Sequence, residues 1–576
     1  MNIHALLVNR FTEALQEMGV ENAPVPVSRS ARPEFGEYQF NGAMALAKQL
    51  KQKPRDIAEK IVETVKLDDI ASKLEVAGPG FINVHLNDAW LSNQCELSLT
   101  DPRLGIAKSP EQNIVVDYSS PNLAKEMHVG HLRTTIIGDA VVKVLEFLGH
   151  NVIRQNHMGD WGTQFGMLLA HLSDKLQEEV AETALSDLED FYREAKVRFD
   201  EEEGFADRAR EYVVKLQGGD TQCLALWEKF IDVSIAHSEE VYDKLNVSLT
   251  RKDIMGESAY NEDLANVISD LKAKGIAVED QGAQVVFIPE LADKEGNPAV
   301  YIVQKSGGGY LYATTDLAAM RYRSGKLNAD RTLILTDARQ ALHFKQTEIV
   351  GRKAGFMKEE QTYEHCPFGM MLGSDGKPFK TRTGGTVKLV ELLDEAVERA
   401  GKLIAERDND LSEEELKEVA RKVGIGAVKY ADLSKNRTTD YMFNWDSMLS
   451  FEGNTAPYLQ YAYTRVKSLF RKAGVDMATM PVDIKIVEKQ EHALAVLLMQ
   501  FEEVIGLVSR EATPHVLCTY LYDVASAFMT FYEACPMLKE GIEPQVRDSR
   551  LALSALVANT LKQGLTLLGI ETLEKM

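Results

Sequence analysis

Residues 117–131 read Asp117-Tyr118-Ser119-Ser120-Pro121-Asn122-Leu123-Ala124-Lys125-Glu126-Met127-His128-Val129-Gly130-His131. The segment follows the β-branched run Ile114-Val115-Val116 and leads into a helix whose apolar face is Leu132, Ile136, Ala140, Val144 and Leu148, closing at Gly149. Strand, loop and helix in that order are the opening unit of a parallel sheet. His128 and His131 stand one helical turn apart, where the first turn's free N–H groups and the helix dipole already attract anions. Gly130, lacking a Cβ, lets a planar base or ribose approach the backbone. The combination suits ATP, while two helix-capping or metal-binding histidines are the plainer reading.

Working outward, Val152-Ile153, Tyr301-Ile302-Val303 and Thr332-Leu333-Ile334-Leu335 continue the alternation of short β-branched runs with helices. The expected architecture is multidomain α/β, with a Rossmann-like parallel-sheet domain over 106–386. Charged helices interrupt it at about 174–270, and acidic residues outnumber basic ones more than two to one between Glu178 and Asp220, a solvated face of an inserted helical region. A helical connection is expected over 387–452 and an all-α bundle over 453–576. Ahead of the sheet domain, 1–105 reads as an α+β module. It has a helix carrying Leu6, Leu7, Phe11, Leu15 and Met18, a second helix from about Asn41 to Leu50, and a strand at Gly80–Leu86 with one covered and one open face.

The composition permits this plan. The chain has 576 residues, 45% hydrophobic and 26% charged, which is ordinary globular usage spread over several domains. With 65 basic and 87 acidic residues, its net charge is −22, which opposes indiscriminate attraction to nucleic acid or anionic membrane and confines any such contact to local basic grooves. Five scattered cysteines form no CxxC pair, so reduced thiols in a cytoplasmic protein are expected. The longest strongly apolar run, Ala493–Met499, is too short to span a bilayer, and the N-terminus lacks the pattern of a signal peptide. No membrane contact is expected.

His128-Val129-Gly130-His131 resembles the "HIGH" signature of class I aminoacyl-tRNA synthetases, and Ser120–Lys125 resembles the lead-in of the arginyl-tRNA synthetase family, bacterial type. The likeness continues in Asn156–Gly166 and Gly309–Asp316. The resemblance implies a ligase that activates L-arginine with ATP to arginyl-adenylate and esterifies the 3′-terminal adenosine of its tRNA, first on the 2′-hydroxyl. It also implies that activation requires bound tRNA. Mg²⁺ is expected to travel with ATP, with no fixed metal site in the protein, and a monomer is the default.

The resemblance also implies residue roles. Tyr312 and Asp316 hold the guanidinium, and Asp117, Asn122 and Gln340 line the amino-acid pocket; an arginine substrate needs a carboxylate for its planar, charge-assisted fork. Read from Thr314-Thr315-Asp316-Leu317 alone, Asp316 is equally a helix N-cap. Where the class carries a mobile "KMSKS" loop, Gly369–Gly385 matches poorly, leaving Lys377, Lys380 and Arg382 as cations that reach the phosphates. Lys125 fits the position of a lysine that compensates for that departure, meeting the charge that builds on the α-phosphorus as pyrophosphate leaves. His128, Gly130 and His131 complete the ATP site. For tRNA, Phe81 and Asn83 match an elbow-contacting module, and Tyr458 stands in a degenerate "DALR" anticodon bundle. The flexible Lys305–Gly309 run is read either as a phosphate loop or as a plain hairpin turn. Two rivals remain from the sequence: another class I synthetase with a different amino acid, and a tRNA-binding paralogue with an inactive site.

Overall fold

The computed structural model describes residues 1–177, 181–380, 386–407 and 410–576, and the chain divides into two compact units. One comprises 109–449 and 568–570. At its centre lies a four-stranded parallel sheet in the order Thr362–His365, Arg331–Ile334, Asn113–Asp117, Asn151–Gln155. Asn113–Asp117 reads as an unbroken apolar run because both of its faces are covered, and Ile114, Val115 and Val116 are fully buried. The helix that follows, Leu132–Phe147, buries the apolar face anticipated from its spacing, and the polar Arg133, Thr134, Thr135 and Asp139 as well. Its Gly138 is required: a Cβ there would stand 2.3 Å from Cγ of Tyr118.

Strand order reverses beside Asn113–Asp117. The chain leaves on one side to form Asn151–Gln155, then returns about two hundred residues later to lay Arg331–Ile334 on the other, pairing Ile334 with Asp117. Such a switch point leaves a crevice beyond the carboxyl ends of the strands.

Between the visits run the helices Gln164–Lys175, Leu188–Glu201, Phe205–Gln217 and Thr221–Leu245. Next comes an antiparallel sheet of Val278–Asp280, Ala283–Ile288 and Ala299–Gln304, packed through Val286 and Val303 on Leu264, Val267, Leu271 and Leu317 of neighbouring helices. This corrects one expectation: Tyr301-Ile302-Val303 belongs to this separate antiparallel sheet, because its alternating burial fits a strand with one covered face. The Lys305–Gly309 run is a closed turn, with Lys305 N–H donating to Gly309 O and Gly308 N–H to Lys305 O.

The other unit joins 1–108 to 450–567 and 571–576, so the first and last expected modules form one body. Its four-stranded antiparallel sheet runs Val27–Arg29, Tyr38–Phe40, Phe81–Leu86, Ala71–Ala77. The bundle helices are Ala456–Ala473, Lys489–Met499, Phe501–Glu511, Pro514–Ala534 and Pro544–Leu567. Residues Lys489–Glu511 are long and apolar enough to cross a membrane by length and composition alone, as the core helix of a soluble protein also can be. They are two helices turned at Gln500, and 56% of the most apolar window is buried.

Partly buried polar contacts tie sheet to bundle. Glu503 accepts from Tyr38 Oη at 2.6 Å and pairs with Arg29, while His492 bridges Glu37 at 2.8 Å and Asp88 at 2.6 Å. The hydrogen bond to Glu37, followed by that to Asp88, outweighs burial and raises the His492 pKa to about 9. Because this lies above the unfolded value of about 6.5, its stabilisation is complete below pH 6.5 and is lost as pH rises through 9. Allowing for solvent screening, the loss amounts to about 1–2 kcal/mol. Calorimetric melting of this unit is expected to shift downward between pH 7 and 9.5, and His492→Gln is expected to remove that pH-dependent component.

Candidate active site

Several candidate groups of the sheet domain, His128, Gly130, His131, Gln340 and Lys380, line the crevice at the switch point. Asp117 ends its strand, and the next two residues take left-handed backbone conformations, Ser119 at φ 69° and Ser120 at φ 47°. Such turns cost about 1–3 kcal/mol each and persist only where neighbours over-determine them. Here Ser119 Oγ meets Tyr242 Oη at 2.7 Å, Ser120 N–H donates to Asn156 Oδ1 at 2.9 Å, and Ser120 Oγ donates to Asp117 Oδ1 at 2.8 Å. The bend directs the Pro121–His131 segment along the rim of a cavity of about 430 Å³ lined by Ser120, His128, Gly130, His131, Gln340 and Lys380, among others.

The two histidines form a reciprocal cap. His128 Nδ1 accepts from Gly130 N–H at 3.0 Å and His131 Nδ1 accepts from His128 N–H at 3.1 Å, with ring centroids 4.1 Å apart. Because each ring accepts at Nδ1, the neutral tautomer assigned from these bonds carries its proton on Nε2. Burial, reinforced by His128, depresses the His131 pKa to about 3, and burial lowers that of His128 as well. Both rings are therefore neutral donors. The sequence reading of Gly130 is corrected in part: a Cβ there would lie 2.6 Å from His128 Cε1, so the glycine admits the histidine ring itself.

The amino-acid side of the crevice is built from residues far apart in the chain. Asp117 is already paired, its Oδ2 held at 2.8 Å by Arg323, which is buried on the turn after the Tyr312–Arg321 helix. Asp316 lies in the second turn of that helix, whose N-cap is Leu311, so the N-cap reading is ruled out. Its Oδ2 meets His343 Nε2 at 2.5 Å and its Oδ1 stands 3.9 Å from His157 Nε2. Tyr312, one turn earlier on the same face, is 73% exposed. Asn122 Oδ1 accepts from Ala124 N–H at 2.9 Å and from Gln164 Nε2 at 3.3 Å, and Gln340 sits exposed on the opposite rim.

Sequence reading missed several groups here. Glu257 comes from the inserted region, and burial, then the charges of Asp160 and Asp316, raise its pKa to about 8. Burial also raises Asp160, against the donors Ser258 N–H and Oγ at 2.8 and 2.6 Å. Glu257 and Asp160 thus join Asp316, where the sequence had offered only Asp316 and Asp117 as acids. Asp160 and His157 lie in a segment the sequence had singled out; Glu257, His343 and Arg323 lie outside every quoted motif, and their only signal is their placement.

Lys125 is exposed, its ammonium 4.1 Å from the Tyr192 ring centroid. Lys377 and Lys380 are exposed on the loop after Met371–Leu372, and only Lys380 lines the cavity. Arg382 lies outside the described residues. Among the described residues no group of three or more His, Cys, Asp and Glu side chains is gathered for a metal ion.

In the other unit, Asn83 is only 1% exposed, its Oδ1 taken by Gln39 Nε2 at 2.7 Å, and Phe81 is half-buried. Asn83 is thus buried with its amide oxygen engaged, so as an outward contact it needs correction. Tyr458 is half-buried against Tyr522, while Tyr461 is the exposed ring of that helix and stands beside Arg465.

A parallel sheet with a switch-point crevice and neutral paired histidines capping the first crossover helix defines the catalytic unit of a class I aminoacyl-tRNA synthetase. Family models match over the chain: the class I (R) tRNA synthetase catalytic domain at 95–445, the DALR anticodon binding domain at 459–576 and the arginyl-tRNA synthetase N-terminal domain at 5–86. The chain belongs to the arginine–tRNA ligase family. It is 98% identical over 576 residues to the arginine–tRNA ligase of Alteromonas mediterranea and 76% identical over 578 residues to that of Pseudoalteromonas atlantica, each covering all of both chains. Its fold matches the arginyl-tRNA synthetase of Plasmodium falciparum with a TM-score of 0.87 at 29% identity, covering 100% of this chain and 99% of the other. The Thermus thermophilus enzyme matches at 0.84 and 25%, covering all of both.

The unfolded chain protonates His131 below about pH 6.5 while the folded chain does not until about 3, so this residue's stabilisation is lost as pH falls through that window. His131→Gln is expected to flatten the decline of unfolding free energy between pH 6.5 and 4.5 by about 1 kcal/mol per pH unit, read by denaturant unfolding at fixed pH.

Proposed function

We propose that this arginine–tRNA ligase joins L-arginine to the α-phosphate of Mg·ATP in the switch-point crevice and then passes the arginyl group to the 2′-hydroxyl of the terminal adenosine of bound tRNA. The observation that carries the reading is the neutral His128–His131 pair lining the crevice, together with the Asp316 carboxylate, whose charge acts on the buried Glu257. The Asp316 carboxylate meets the cation, with the neighbouring Glu257 pushed toward its neutral form, while the histidine pair and the lysines offer neutral donors and positive charge to phosphates.

In the first step the arginine carboxylate attacks the α-phosphorus and pyrophosphate departs, so no protein nucleophile is needed. Asp316 takes the guanidinium in a charge-assisted fork, with Tyr312 on the same helix face. Asp117, locked by Arg323, shapes the floor of the pocket, with Asn122 and Gln340 on its rim. The Nε2–H groups of His128 and His131 donate to ATP, and Lys125, Lys377, Lys380 and Arg382 meet the phosphates' charge. Mg²⁺ enters as part of Mg·ATP. Phe81 and Asn83, with Gln39 bonded to Asn83, are proposed for the tRNA elbow, and Tyr458, with the more exposed Tyr461, for anticodon stacking. Activation dependent on tRNA, a monomeric state and a cytoplasmic location complete the reading.

Arginine-dependent ATP–pyrophosphate exchange with cognate tRNA present tests the pocket. Asp316→Asn is expected to raise the arginine KM about 10- to 100-fold with a smaller change in kcat, as the loss of a charge-assisted pair requires. An unchanged KM would remove Asp316 from the pocket.

A further inference from the structure

We propose that Tyr192, on the inserted helix Leu188–Glu201, is a positioning residue for adenylate formation: its ring seats the Lys125 ammonium beside the paired histidines. The inference rests on the reading above that Lys125 meets the charge on the α-phosphate.

A lysine ammonium is a compact charge on a flexible four-carbon stem, and an exposed one samples many positions. Lys125 is exposed, yet its Nζ lies 4.1 Å from the Tyr192 ring centroid, inside the range where a ring quadrupole holds a cation. Among the described residues Lys125 has no carboxylate partner. The difference matters chemically. A carboxylate would hold the ammonium equally well but cancel the charge that the crowded phosphate requires; an aromatic face restrains it and leaves that charge available.

The helix bearing Tyr192 is fixed in place next to Lys125. Its first N–H, on Leu188, donates to Oε1 of Glu126 at 3.1 Å, and Glu126 directly follows Lys125. Asp187 caps the helix by accepting from Asp190 N–H at 2.9 Å and pairs at 2.6 Å with Lys388, which also stands 3.6 Å from Glu126. Lys388 forms a backbone bridge to His128. Leu188 and Tyr192 are four residues apart and share a helix face, so the anchor on Glu126 places the ring over the preceding lysine. Glu189 is near enough to act on the His128 charge. The inserted helix thus reaches the catalytic turn at three successive points, and Tyr192 is the one that touches a predicted catalytic group.

The test is a double-mutant cycle on the full-length enzyme, read by arginine-dependent ATP–pyrophosphate exchange with saturating cognate tRNA. Tyr192→Phe keeps the aromatic face and is expected to stay within about 2-fold of the parent kcat, while Tyr192→Leu is expected to lower kcat about 3- to 10-fold with the arginine KM unchanged. In a Lys125→Ala background Tyr192→Leu is expected to have no further effect. A full additive loss in that background would reduce Tyr192 to a packing residue and overturn the proposal, as would a parent-like rate for Tyr192→Leu. Undiminished exchange by Lys125→Ala alone would instead overturn the underlying role of Lys125. Should Tyr192→Leu melt early, Tyr192→Trp, with its stronger ring quadrupole, supplies the second arm: a rate at or above the parent's is expected, and a 3-fold or greater loss despite a parent-like melting temperature overturns the proposal.

Discussion

The pairing of Asn113–Asp117 with Arg331–Ile334 is the constraint on which the catalytic unit depends. Parallel strands cannot be joined by a tight turn, so the chain must travel before it returns, and here it travels about two hundred residues. What it builds on the way is delivered to the carboxyl end of Asp117 when it arrives. Asp316, Arg323 and Gln340 come with the returning strand or its flanks, and Glu257 comes from the excursion. If this register slipped by one residue, Asp117 would no longer oppose Ile334, and the Arg323–Asp117 pair at the floor of the crevice would be lost.

Within that frame the site keeps formal charge on few groups. The first turn of the Leu132–Phe147 helix is too enclosed for imidazolium, and burial holds His131 neutral over the whole physiological range. The buried ionised groups around it are paired: Asp117 with Arg323, and Arg133 with Asp432 at 3.2 Å. A lone buried charge would cost several kcal/mol. Net attraction for a cationic amino acid and for polyphosphate therefore comes from groups with some access to solvent, the Asp316 side on one hand and Lys125 and Lys380 on the other. Substrates replace water at these groups, and their binding sets the fields that the reaction uses.

The second unit follows a different logic. An antiparallel sheet of four short strands has one face to cover, and the helices Ile3–Glu17 and Pro54–Thr64 pack on it, while the bundle at the other end of the chain packs on Asp88–Thr100 and bonds the sheet through Glu503 and His492. That explains why the boundary read from the sequence at 105 does not mark the edge of an independent body.

What the sequence determined by itself was local and contiguous. The strand–loop–helix of Ile114–Leu148, the histidines one turn apart, the amphipathic C-terminal helices and the resemblance carried by unbroken strings are all written in neighbouring residues, because a 3.6-residue period or a β-branched run is set by the chain's own nearby atoms. Only the tertiary structure decided that Tyr301–Val303 belongs to another sheet, that Asp117 answers to Arg323, that Glu257 joins Asp160 and Asp316, and that Tyr192 lies under Lys125. Those contacts join residues tens to hundreds of positions apart. They follow from how long connections return to a sheet and pack, and side-chain contact across such separations leaves no periodic trace in the sequence.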